Sequence, residues 1–148
     1  MSIGNSTTNP PRPMGDLNAA MRDLDLSAEK VRALLDEGKL IGFNISASKS
    51  GRAGLRVLTK SVERYRESGG KKPLVLAWPE IIRLILTHDK FFVRGMEIQR
   101  ALNCDRGHVE NLILASHLVT AKKARHGPGG SPIVTRTSFE AFLKGRML

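Results

Sequence analysis

Cysteine is almost missing from this chain: Cys104 is the only one in 148 residues. No intramolecular disulfide can form, and a reducing compartment fits, so the expected location is cytoplasmic and associated with the nucleoid. Aromatic residues make up only 5% of the chain. That scarcity argues against recognition of single strands by stacked bases, which needs a row of exposed rings. Long apolar runs are also lacking. The longest stretch, Leu74 to Leu86, is interrupted by Pro79, Glu80 and Arg83, too short and too polar to span a bilayer. The opening residues, Met1 to Asn9, lack the basic-then-apolar order of a signal peptide.

Several chemistries lack their residues as well. Cys104 and His108 are spaced so that a helix could turn both toward one metal, with His117 and His126 as candidate further ligands. A closed zinc site needs four convergent ligands, commonly several of them thiolates, and one thiol does not meet that need. Ser50 to Gly54 is glycine-bearing but has neither the lysine nor the strand-to-helix setting of a phosphate loop. No nucleophile elbow is present, and the carboxylates stand singly on helix faces. The expectation is a protein that is not an enzyme, with no cofactor and no metal.

What the chain does have is positive charge: 24 Lys and Arg against 14 Asp and Glu, a formal charge of +10. Such an excess attracts polyanions. Nucleic acid is the commonest of them, because neutralising phosphates releases counterions.

Composition divides the chain. Residues 1–15 are rich in Ser, Thr, Asn, Pro and Gly and read as a flexible tail. Glu67 to Pro73 reads as a linker, and residues 69–90 as linker plus connecting helix. In that connection Trp78 to Leu86 forms an apolar helix, with Pro79 suited to its first turn. It should be buried, either as an intrachain element or as the seam of a self-associated dimer.

Two segments of similar layout remain, 16–68 and 91–148. In the first, Ser27 is a candidate N-cap. Val31, Leu34 and Leu35 mark a buried helix face, and Gly38 suits a left-handed C-cap. Leu40 to Ile45 is extended, a polar basic stretch runs from Ser46 to Arg56, a strand resumes at Leu55, and a last helix opens at Thr59 or Ser61. In the second, Gly95 to Leu102 is amphipathic and Asn103 to Asp105 is a turn. Val109, Leu112 and Ile113 repeat the apolar spacing, and Ser116 takes the place of Gly38. Thr135 and Arg136 match Thr59 and Lys60, and Ser138 opens a final helix. The two segments read as an internal repeat. The order predicted is helix, tight turn, helix, hairpin with a basic loop, short helix. The fold class expected is therefore mainly α with short β-hairpins (α+β), arranged as two winged helix-turn-helix units in tandem. In that design the second helix offers its wet face to the major groove, and the hairpin carries cations to the backbone.

The residues from Val31 to Leu40, the basic wing after them and the run Thr59 to Tyr65 resemble the excisionase and mercury-resistance-regulator (MerR-like) type of winged helix. Arg94 to Ile98, Asn103 to Val109, Leu112, Ile113 and Phe139 to Leu143 are similar. The leading helix of the first segment, around Leu17 to Arg22, departs from the pattern because it is short and has no clear apolar stripe. The resemblance implies binding of double-stranded DNA, with the helix after the turn reading bases and the wing gripping phosphates.

Carried onto this chain, the reading helices offer Arg106, His108, Glu110 and Asn111, and Lys30 and Arg32. The wings offer Lys122, Lys123, Arg125, His126 and Arg136, and Lys49, Arg52 and Arg56. The function expected is an excisionase-like architectural factor or a transcriptional regulator. The competing readings are an adaptor that docks a recombinase or polymerase, and a binder of structured RNA.

Overall fold

The computed structural model describes residues 12–48, 54–121 and 132–148. The protein is mixed α+β, with seven helices and two small antiparallel sheets among the described residues. The first half begins with β1 (Met14–Asp16), α1 (Leu17–Leu24) and α2 (Ala28–Asp36). Asp16 accepts from the amide of Ala19 at 2.9 Å and starts α1. That helix stops where Asp25 turns left-handed (φ 54°). Ser27 then caps α2 by accepting from the Lys30 amide at 3.2 Å. After Gly38, whose φ of 76° any side chain would strain, come β2 (Gly42–Asn44), β3 (Leu55–Leu58) and α3 (Thr59–Glu67). The strand order is β1-β3-β2, with Gly15 and Gly42 both opposite Val57. Gly42 has to be glycine: a Cβ there would stand 2.6 Å from the Leu35 side chain and 2.8 Å from the Arg56 carbonyl.

The connecting helix α4 (Trp78–Ile85) carries Pro79 in its first turn, as its sequence predicts. Glu80 accepts from the Ala77 amide at 3.1 Å. The second half follows with β4 (Phe92–Arg94), α5 (Gly95–Leu102), α6 (Arg106–Leu114), β5 (Ile133–Thr135) and α7 (Arg136–Arg146). Val93 pairs with Val134 as Gly15 pairs with Val57. Asn103 (φ 52°) turns left-handed where Asp25 does, and Ser116 (φ 65°) where Gly38 does.

Three details differ from the sequence reading. First, Met14 and Gly15 are not tail: they form β1, and Met14 is 1% exposed. Three residues are too few for a strand signal, and their partner lies some forty positions away. Second, α7 opens at Arg136 rather than Ser138, because the Thr135 hydroxyl accepts from the Ser138 amide at 3.2 Å and caps the helix.

Third, the halves align one residue away from the match of Thr59 with Thr135. Ser61 accepts from the Ile41 amide at 3.1 Å and donates to the Leu58 carbonyl at 2.7 Å. Ser138 does the same with Val119 (3.0 Å) and Thr135 (3.0 Å). Leu58 therefore corresponds to Thr135, and Thr59 to Arg136. The shared threonine misleads because Leu58, at the equivalent cap position, is drawn into the core instead of capping.

The core lies in two clusters. One belongs to the first half alone: Ala20, Val31, Leu34, Leu35, Leu40, Val57 and Val62. The larger one is shared. It joins Met14, Phe43, Ile45 and Leu58 of the first half to Ile81, Ile82 and Ile85 of α4 and to the apolar faces of α5, α6 and α7. Phe43 meets Trp78 edge-on at 6.4 Å between ring centroids. The C-terminal residues close the far edge of β2, since Met147 bridges to Phe43 and the Leu148 amide donates to the Gly42 carbonyl at 2.9 Å. No described helix is long and apolar enough to cross a membrane.

Candidate nucleic-acid interface

Helix α6 is the best-formed candidate. Asp105 accepts from the His108 amide at 2.8 Å and fixes the first turn. Val109 and Leu112 bury one face in the shared core with Ile98, Ala101 and Leu102 of α5. The opposite face leaves Arg106, Gly107, Glu110, Asn111 and Leu114 exposed. Its net charge is close to zero, because Arg106 Nε lies 3.4 Å from Glu110 Oε2. Both side chains are more than half exposed, so this pair is weak and opens readily. Asn111 has free access to solvent and presents the donor and acceptor of its amide.

His108 is placed differently from its sequence assignment. Its Nε2 meets the Ile45 carbonyl at 2.6 Å, so the half-buried ring joins α6 to the first half. Arg56, expected in the first wing, is turned inward. Its Nε donates to the carbonyls of Leu102 (2.9 Å) and Asn103 (3.1 Å), the last carbonyls of α5. A cation there answers the unpaired carbonyls and negative end of a helix. Arg136, expected to support the second wing, is bound to Glu140 at 2.7 Å, donates to the His88 carbonyl and is only 13% exposed at its side chain. Glu140 also accepts from Trp78 Nε1 at 3.1 Å. Arg136 therefore ties α7 to the connecting segment instead of reaching outward. Charge alone does not tell a phosphate-gripping arginine from one that holds carbonyls.

On α2, Lys30 and Arg32 are exposed as expected, but Glu29 and Asp36 are exposed on the same helix. This face is mixed in sign and offers a weaker field to a phosphate than its two cations suggest. Lys49, Arg52, Lys122, Lys123, Arg125 and His126 lie outside the described residues. The last four fall between Ala121, whose amide donates to the Ile133 carbonyl at 2.8 Å, and Pro132.

Two residues that matter escaped the sequence reading. Arg146, 7% exposed, donates to the carbonyls of Asn44 (3.2 Å), Ser46 (2.7 Å) and Ala47 (3.4 Å) and lies 5.1 Å from the centre of the Phe142 ring. His117 meets the Ala47 carbonyl at 2.7 Å. Together with Arg56 and His108 they hold the root of the β2–β3 connection against the turn and helix α6. An arginine in the last turn of a helix is an ordinary sequence feature, and no local signal marks it as buried.

Cys104 sits at the α5–α6 turn. Burial pushes its thiol up to about 11, with Arg56 opposing and Asp105 adding to the shift. It is a protonated, poorly nucleophilic thiol at neutral pH. Among the described residues no cluster of His, Cys, Asp or Glu is disposed to hold a metal. Compared with known protein families, curated proteins and solved structures, the chain matches none.

Proposed function

We propose that this protein binds duplex DNA, with the second half as its principal reader and a winged helix-turn-helix arrangement as the means. Helix α6 enters the major groove. Arg106 and Asn111 read base edges, arginine pairing with guanine and asparagine with adenine. Lys122, Lys123 and Arg125 hold the backbone beside it. The observation that carries this reading is α6 itself: it follows a left-handed turn at Asn103, buries Val109 and Leu112, and leaves Arg106 and Asn111 exposed on the other side.

The excess of cations supports it, since +10 on a chain of this size favours a polyanion. The shared core joins β2 and β3 of the first half to α6, which suits an excisionase-like architectural role or transcriptional regulation. Lys30 and Arg32 then make secondary contacts, limited by Glu29 and Asp36. No chemical step belongs to this reading.

The test is a binding series with duplex DNA, single strands and structured RNA at two salt concentrations. Tight duplex binding that weakens steeply with salt is expected. Arg106→Ala should relax sequence preference and cost about 1–3 kcal/mol at the preferred site, whereas Lys123→Ala should weaken all sequences alike and lower the salt slope by about one. A preference for RNA, or equal and sequence-independent losses from both variants, rejects the reading.

A further inference from the structure

We infer that the outer side of β4, around Phe91 and Phe92, is a docking surface for an acidic amphipathic helix of another protein. The inference stands independently of DNA binding.

Of the five phenylalanines, Phe43, Phe139 and Phe142 are buried, while Phe91 is 82% and Phe92 52% exposed. They are consecutive in the chain, and Met96 follows in the first turn of α5, also exposed. A shallow hollow beside Phe92 is lined by Ile133, Lys90, Arg94 and Glu97. Adjacent exposed apolar side chains with a polar rim are a mark of an interaction site, whereas a lone exposed one is not.

The first half shows what covers such a strand. Pro13 corresponds to Phe91, because their carbonyls accept from the equivalent amides of Thr59 (2.9 Å) and Arg136 (2.7 Å). Met14 corresponds to Phe92, since they pair with Leu58 and Thr135. Yet Met14 is 1% exposed and belongs to the same apolar cluster as Ile81, Ile82 and Ile85 of α4. Pro13 shares a cleft of about 320 Å³ with Leu84, Ile85 and Leu86 at the end of that helix. At the first half, then, the strand's apolar side chain is enclosed in a cluster that includes the apolar helix α4. At the second half the matching side chains, Phe91 and Phe92, are larger and, among the described residues, left exposed.

The rim sets the charge of the occupant. Lys90 and Arg94 are exposed, and neither forms an ion pair among the described residues. The nearby carboxylate of Glu97 is already engaged, one oxygen accepting from the Arg94 amide at 2.9 Å and the other meeting His88 Nε2. A second copy of a chain with charge +10 would bring repulsion to this rim; an acidic helix brings attraction, which also speeds encounter.

The experiment titrates the full chain, followed by its backbone amide resonances, with a synthetic helical peptide. The peptide carries leucine at positions i, i+3, i+4 and i+7 and glutamate elsewhere. A second peptide has lysine for every glutamate. Saturable shifts centred on Phe91 to Met96 are expected, with the acidic peptide preferred at least about tenfold and Phe92→Ser weakening it about tenfold. Both phenylalanines are exposed, so Phe91→Ser and Phe92→Ser should leave the remaining spectrum in place. Any of four results overturns the inference. These are absence of saturable binding at millimolar peptide, equal binding of the two peptides, self-association of the chain that Phe92→Ser abolishes, or loss of duplex binding on Phe92→Ser with peptide binding intact. The DNA reading fails separately, on Arg106 and Lys123.

Discussion

Arg146 concentrates at one residue the problem that charged side chains pose. The residue is 7% exposed, and its guanidinium donates to carbonyls of Asn44, Ser46 and Ala47. The Ser46 carbonyl is buried and loses this donor when the guanidinium is removed, whereas the Ala47 carbonyl keeps His117. Arg146→Ala is expected to destabilise the protein by about 3 kcal/mol, read as a shift of the urea midpoint with an unchanged slope. Arg146→Lys should recover less than half of that, because an ammonium is a point charge and cannot span the same carbonyls. A loss within about 0.5 kcal/mol would mean that the carbonyls find water instead. Arg56, His108 and Arg136 carry the same lesson. Their residue types were legible as candidates for phosphate or base contact, but each meets a backbone carbonyl of a distant element, which no local pattern encodes; only the Arg136–Glu140 pair, four residues apart on α7, is local.

At the scale of elements the sequence was far more informative. The apolar spacing of Val31, Leu34 and Leu35, and of Val109 and Leu112, does place these side chains in the core. The cap at Ser27 and the bend at Gly38 are where their residue types put them. Ser116 is the revealing case. It holds φ at 65° where the first half uses glycine, and an L side chain strains that conformation. Ser116→Gly is expected to stabilise the protein by about 1 kcal/mol, measured by thermal or urea unfolding, because relief of strain exceeds the added entropy of the unfolded chain. No gain, or a loss, would show that the serine side chain contributes more than its backbone costs. The strands were less legible. β1 and β4 have three residues each, too few for alternation to register, and they exist because β3 and β5 offer paired backbone beside them.

At the scale of the whole molecule, the larger of the two core clusters crosses the division into halves, while the smaller stays within the first. Phe43 is fully buried in a cluster that includes α4 and the second half, and it meets Trp78 edge-on. Phe43→Ala is expected to cost about 3–5 kcal/mol. Its effect should appear equally in Trp78 fluorescence and in far-ultraviolet circular dichroism, because both halves lose the same cluster. Coincident transitions would mark one cooperative unit; separate midpoints, with only one moved by the substitution, would show that the halves unfold independently. The same coupling bears on function. If α2 and α6 are both readers, α2 is placed by the first half's own cluster and α6 by the shared one, so the paired binding sites should match a narrow range of spacings.

By itself the sequence determined the charge and the similarity of the two segments, and also the apolar helix faces, the cap at Ser27 and the bend at Gly38, because these last depend on residues within a few positions of one another. The tertiary structure alone decided the one-residue alignment of Leu58 with Thr135 and the inclusion of Met14 in a strand. It also decided which cations turn inward and which phenylalanines stay bare. These outcomes depend on partners tens of residues away, where a buried carbonyl or an apolar cluster competes with water for the same side chain, and burial settles that competition only after the chain has closed on itself.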